Sequence, residues 1–232
     1  MSFTLTVLSA GAVRCGVTAV AEVFARASGI AWKGDFSSAP KVKARMLGGE
    51  YADVAIASAS ALVALARAGK ILPESRTPLG CSRQVVVMRK GATAPDLSSV
   101  EAFKRALLEA DAVSYNEGSS GEHAVKIIEQ LGLREVLAPK VKVAGNGVEM
   151  MAFIVAHEGR VLGLAQFTNL RDHMGLGAAV DLAGSFPEAI QGATPYEAAV
   201  SAGSLAPEAA KAFVRSFASA ESKKLLDATG LE

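Results

Sequence analysis

Short apolar runs of strand type alternate with stretches of helical spacing along almost the whole chain, and this alternation limits the fold more than any other feature. FTLTVLS (3–9) is apolar enough for a buried strand, and Val13, Val17, Val20, Val23 and Phe24 follow at helical spacing up to Gly29. IAWKGDF (30–36) predicts a second strand, and PKVKARMLGG (40–49) a helix with proline at its first position and glycine at its end. ADVAIAS (52–58) predicts a third buried strand and 59–70 a third helix. The spacing then predicts strands at 83–91, 111–115, 140–145, 160–167, near 178–182 and from Tyr196. Helices are expected at about 98–109, 120–131 and 146–157, with two short ones within 206–230. Strands that alternate with helices build an α/β fold with mainly parallel sheets.

The rhythm breaks twice. ILPESRTPLGCS (71–82) holds two prolines and a glycine, and GATP (192–195) makes a second break. The chain therefore divides into a discontinuous first lobe, 1–83 plus 195–232, and a second lobe, 84–194. Open α/β sheets take ligands at the carboxyl ends of their strands, so two such lobes predict a ligand cleft between them.

Three strand-to-helix junctions share one chemistry. LSAGAVR carries Ser9, Gly11 and Arg14; DFSSAPKVK carries Ser37, Ser38, Lys41 and Lys43; YNEGSSGEH carries Ser119 and Ser120. Each places hydroxyls and small residues at a helix N-terminus, where unpaired N–H groups and the helix dipole favour an anion. A serine there also caps a helix without any ligand. Arg14 and Lys41 fall in the first turns of their helices, where a cation opposes the dipole by a few tenths of a kcal/mol up to about 1. Either these side chains reach into water or a bound carboxylate lies between them, and Arg binds carboxylates bidentately.

Composition removes other classes of function. Half of the 232 residues are apolar, the formal net charge is +1, and aromatics are sparse. Nucleic acid is not expected as a partner. Cys15 and Cys81 form no CxxC, no His/Asp/Glu cluster has metal-ligand spacing, and no GxSxG elbow occurs. GNGVEM (145–150) is an incomplete phosphate loop. No cofactor and no metal are expected, and both cysteines read as small buried hydrophobes. MSFTLTVLSAGAV has neither a basic start nor a leader-type apolar segment, and reads as strand and turn. A periplasmic location is expected if a leader has been removed, a cytoplasmic one if Met1 is the native start.

LTVLSAGAV, ADVAIAS, GSSGEHAVKIIEQLGL, GLAQFTNL and the C-terminal YEAAVSAGSLAPEAAKAFVRSFASAESKKLLDATGLE together resemble the molybdate-binding protein family of type II periplasmic solute-binding proteins. The resemblance covers nearly the whole chain. It implies two α/β lobes, a two-strand hinge, a small anion in the cleft, a monomer, and delivery to an ABC-type membrane transporter. It adds Gln166 and Thr168 of GLAQFTN as candidate ligands, and Tyr196 as packing at the hinge. Where the family places a serine in the first junction, this chain has Ala12, and Ser37 and Ser38 are followed by Ala39, Pro40 and Lys41. These departures favour an organic carboxylate over molybdate. Aconitate isomerase resembles the same family, so a cofactor-independent isomerase of a di- or tricarboxylate is the alternative. Allylic proton transfer needs a base that returns the proton. His123 fits by residue type, with Tyr115 and Glu117 as rivals, and His157 and His173 receive no role.

Overall fold

The structure is a computed structural model that describes residues 3–174 and 179–232, the side chains of 171–174 excepted. In chain order the elements are β1 (Thr4–Ala10), α1 (Arg14–Ser28), β2 (Ala31–Ser37), α2 (Ala39–Leu47), β3 (Val54–Ser58), α3 (Ala59–Arg67) and β4 (Thr77–Arg89). Next come α4 (Val100–Glu109), β5 (Ala112–Asn116), α5 (Ser119–Gln130), α6 (Arg134–Leu137), β6 (Val141–Ala144), α7 (Gly147–Ala156) and β7 (Val161–Gln166). The chain ends with α8 (Phe167–Met174), β8 (Val180–Ser185), β9 (Ala193–Val200), α9 (Pro207–Ser216) and α10 (Ala220–Ala228). It divides into two compact units: Met1–Ser82 with Thr194–Glu232, and Arg83–Ala193.

In the first unit the strands lie in the order β2-β1-β3-β9. β2, β1 and β3 are parallel and β9 runs antiparallel to β3. All five residues of β3 are buried, which explains why ADVAIAS shows no polar alternation. β2 lies at the sheet edge and does alternate. The C-terminal helices complete this core. Phe213 of α9 meets Phe24 of α1 edge-on at 5.2 Å and Phe217 at 5.3 Å, worth about 0.5–1.5 kcal/mol per pair beyond area burial.

One buried charge ties this unit together. Asp53 is fully buried. Its carboxylate accepts from the Thr6 amide at 2.9 Å and hydroxyl at 2.8 Å, from the Ser204 hydroxyl at 2.8 Å, and from the Tyr51 hydroxyl. Burial pushes the Asp53 carboxyl up, but these donors together outweigh it and hold it below its ordinary value.

In the second unit the order is β8-β4-β7-β5-β6, with β5, β6 and β7 parallel and β4 antiparallel to both its neighbours. Both faces of this sheet are covered. Val86, Met88, Val113, Leu162 and Leu164 pack with Phe103, Ala124, Ile127 and Ile128 of α4 and α5. Val85, Val87, Ala112, Val161 and Ala165 pack with Met150, Ile154 and Leu170 of α7 and α8. Adjacent residues thus face opposite sides and both are apolar, which gives the continuous runs of 85–88 and 161–165.

The structure corrects several boundaries. β4 begins at Thr77, not at 83, so Pro78 and Gly80 do not interrupt it. The C-terminal residue supplies ladder bonds there: Cys81 donates to the Glu232 carbonyl at 2.7 Å and accepts from its amide at 3.0 Å. β9 likewise starts at Ala193 and runs through Pro195. α6 and α8, of 4 and 8 residues, have too few turns for a readable period. Cys15 and Cys81 are only half-buried, contrary to expectation, and no disulfide joins them.

Candidate functional site

The candidate residues gather at one sheet edge in each unit. In the first unit β1, β2 and β3 run parallel, so their carboxyl ends share an edge, and Ala10 stands in register with Ser37. A helix follows each end: α1 after the single turn Gly11–Val13, then α2 and α3. Their positive N-termini meet that edge.

Ser9 is fully buried and donates its hydroxyl to the Ala10 carbonyl at 3.2 Å, so it is committed to its own strand. Gly11 and Ala12 form the turn and remain partly exposed. Arg14 is the first residue of α1, exposed, with its guanidinium 4.9 Å from the centre of the Phe36 ring. That contact holds the cation where the dipole alone would repel it. Ser38 caps α2, its hydroxyl accepting from the Lys41 amide at 3.4 Å. The Ser37 hydroxyl is buried and has no partner. Two hydroxyls escaped the sequence reading: Ser58, which ends β3, and Ser60 in the first turn of α3 lie 3.2 Å apart. The signal was ASAS directly after a buried strand.

In the second unit β5, β6 and β7 end on one edge and lead into α5, α7 and α8. Ser119 and Ser120 open α5, but neither caps it; Gly118 is the N-cap residue and no side chain bonds there. Asn116 organises the turn instead. Its side-chain oxygen accepts from the Gly118 amide at 2.7 Å and from the Ser120 hydroxyl at 3.3 Å. A Cβ on Gly121 would collide with the Asn116 carbonyl oxygen. Gly121 is therefore needed for the close approach of α5 to β5. Gln166 ends β7 and Thr168 lies in the first turn of α8; both are buried.

The sequence also missed Gln84. It is fully buried, neither atom of its amide has a partner, and it stands directly opposite Gln166 on the neighbouring strand. A glutamine opening the run QVVV was the available signal.

His123 is half-buried in α5, with Nε2 3.3 Å from the Ile190 carbonyl and its ring centre 6.1 Å from that of Phe186. Gly192 leaves room for it, since a Cβ there would strike the imidazole. Burial pushes the His123 pKa down, and the Ile190 contact opposes this only in part. Burial raises the Tyr115 hydroxyl above its ordinary value. Glu117 is exposed at the end of β5. Tyr196 is buried in the core of the first unit. His173 lies outside the described side chains. A hollow of about 360 Å³ lined by Tyr51, Lys70 and Ser201 sits at the other end of the first unit's strands, away from the junction residues.

Among the described residues no group of three or more His, Cys, Asp or Glu could hold a metal ion, and no helix is long and apolar enough to cross a membrane.

Residues 5–232 match the family described as bacterial extracellular solute-binding protein. An aconitate isomerase from Pseudomonas sp. is 31% identical over 237 residues, covering 99% of this chain and 87% of that protein. The periplasmic molybdate-binding protein of Azotobacter vinelandii superposes with a TM-score of 0.80 at 18% identity, covering 98% of each chain. The binding protein AgtB of A. tumefaciens R10, in complex with agropinic acid, gives 0.72 at 15% identity, covering 99% of this chain and 82% of that one.

Proposed function

Because the chain belongs to the bacterial extracellular solute-binding protein family, we propose that it captures a small organic carboxylate, bound at its polar strand ends, for an ABC-type membrane transporter. The observation that carries this reading is the partnerless Ser37 hydroxyl, buried where three helix N-termini meet one edge. A buried hydroxyl without a partner costs about 1–3 kcal/mol, which a ligand oxygen would recover. Arg14 and Lys41 beside it favour carboxylate over a tetrahedral oxyanion, which a neutral cage of hydroxyls and amides suits better.

A melting-point screen of di- and tricarboxylates beside molybdate and sulfate tests this. A carboxylate at 100 times its dissociation constant adds about 2.7 kcal/mol of stability. Shifts with molybdate and sulfate, and with no carboxylate, would reverse the assignment. Arg14→Ala is expected to weaken carboxylate binding ten- to thousandfold, about 1.4–4 kcal/mol. Its own melting point should hardly move. The lost contact with Phe36, about 0.5–1 kcal/mol, is offset by removing a cation from a helix start. A melting loss with unchanged affinity would make Arg14 structural.

The Pseudomonas aconitate isomerase supports a second reading, in which the same carboxylate site isomerises its ligand. His123 is then the proton carrier.

A further inference from the structure

Gln84 has every reason to be replaced by an apolar residue if its task is only to fold. Its backbone is fully used. The amide donates to the Gly192 carbonyl and to the Gln191 side-chain oxygen, both at 3.0 Å. The carbonyl accepts from the Gln191 side-chain amide at 3.1 Å and from the Phe186 amide at 3.3 Å. The strand is thus pinned, and the side chain cannot find partners by a backbone shift. Yet both its amide atoms are buried without a bond, and an unmet buried amide lowers stability.

Its direction follows from strand alternation. Val86 and Met88 face Ala124, Ile127 and Ile128 of α5, so Gln84 faces the same side. Gln166, opposite it in register, shares that face with Leu162 and Leu164. α5 packs over β5 and β7, and its first turn holds Ser119 and Ser120 without a side-chain cap. The Gln84 side chain therefore lies on the sheet face that α5 covers, and α5 begins without a side-chain cap.

We propose that Gln84 contacts the ligand and selects one that carries a hydrogen-bond donor, such as a hydroxyl, beside its carboxylate. This rests on the reading of the chain as a binder of small organic anions. The side chain presents N–H donors and a carbonyl acceptor together. A bare oxyanion satisfies only the N–H and sets its negative charge against the carbonyl lone pairs. A hydroxycarboxylate satisfies both. A site built around a ligand hydroxyl discriminates strongly against the analogue that lacks it, because a buried polar group is then left unpaired.

The test is calorimetric titration of the whole chain with two pairs that differ by one hydroxyl, citrate against tricarballylate and malate against succinate. In the wild type the hydroxylated member of a pair is expected to bind at least tenfold tighter. Gln84→Met, which keeps the length and removes the amide, should abolish that preference and keep or raise the melting point. Carboxylates that bind with equal strength within each pair overturn the inference and leave the organic-anion reading standing. A Gln84→Met protein that binds like wild type does the same. Binding of molybdate or sulfate with no carboxylate bound overturns the organic-anion reading, and this inference with it. The wild-type comparison needs no variant, so it decides the matter even if Gln84→Met fails to fold.

Discussion

Asp53→Ala is expected to destabilise the protein by about 3–4 kcal/mol, from the donors it leaves unmet in the first unit. The Thr6 amide and hydroxyl, on a half-buried residue, lose the buried Asp53 carboxylate as their acceptor. Tyr51 is 46% exposed and turns to solvent, so its share is small. For a chain of this size the loss lowers the melting point by roughly 6–16 °C. The pH dependence has a definite sign. The carboxyl is held below its ordinary value of 3.8 in the fold. Its contribution is therefore complete above that value and disappears as pH falls through the lower, folded-state value. Asp53→Asn keeps one acceptor for Thr6, so it should cost less than alanine and lack this acid-side slope. Denaturation at pH 7 and at steps down to pH 3 measures both. An alanine variant that melts within 2 °C of wild type would show that water replaces the carboxylate, contrary to the burial seen here.

Asp53 also shows what the sequence could not display. It sits between Ala52 and Val54 in a run otherwise apolar, and its partners Thr6 and Ser204 are 47 and 151 residues away. Local patterning carries no trace of such pairs. The elements themselves were legible because sheets covered on both faces write unbroken apolar runs, as in 54–57 and 85–88. The end of β2 at Ser37 and the start of α5 at Ser119 were legible too, since a parallel strand that enters a helix fixes which end carries the N–H groups. The roles of the serines were not. Ser9 bonds its own strand and Ser120 bonds Asn116, while the partnerless groups are Ser37 and Gln84. Only packing decides which polar side chain is left without a partner. The start of β4 departs from its local signal for the same reason: Cys81 pairs with Glu232, 151 residues further on, and this outweighs Pro78 and Gly80.

The isomerase reading makes its sharpest demand on His123. The Ile190 carbonyl 3.3 Å from Nε2 requires the proton on that nitrogen, which assigns the lone pair to Nδ1. Burial holds the imidazole below its ordinary 6.5, so it is neutral near pH 7 and able to accept a proton. Gly192 and Phe186 fix its orientation. A base positioned in this way contributes about 10²–10⁴ in rate. On this reading cis- or trans-aconitate in heavy water interconverts and takes up deuterium, and NMR follows both. His123→Ala and His123→Gln should each lose 10²–10⁴ in turnover while affinity stays within about tenfold, a change of roughly 1.4 kcal/mol. Glutamine retains a donor for the Ile190 carbonyl, so the Gln variant should melt closer to wild type than the Ala variant. That separates a proton carrier from a packing residue. Wild-type turnover should rise with pH through the lowered His123 value and then level, because only the neutral ring accepts the proton. Conversion that survives both substitutions moves the base to Tyr115, Glu117 or Lys41. No isomer and no deuterium uptake over hours removes aconitate isomerisation. His123 is then the residue that locks α5 to the segment around Ile190, and the chain is left as a binder.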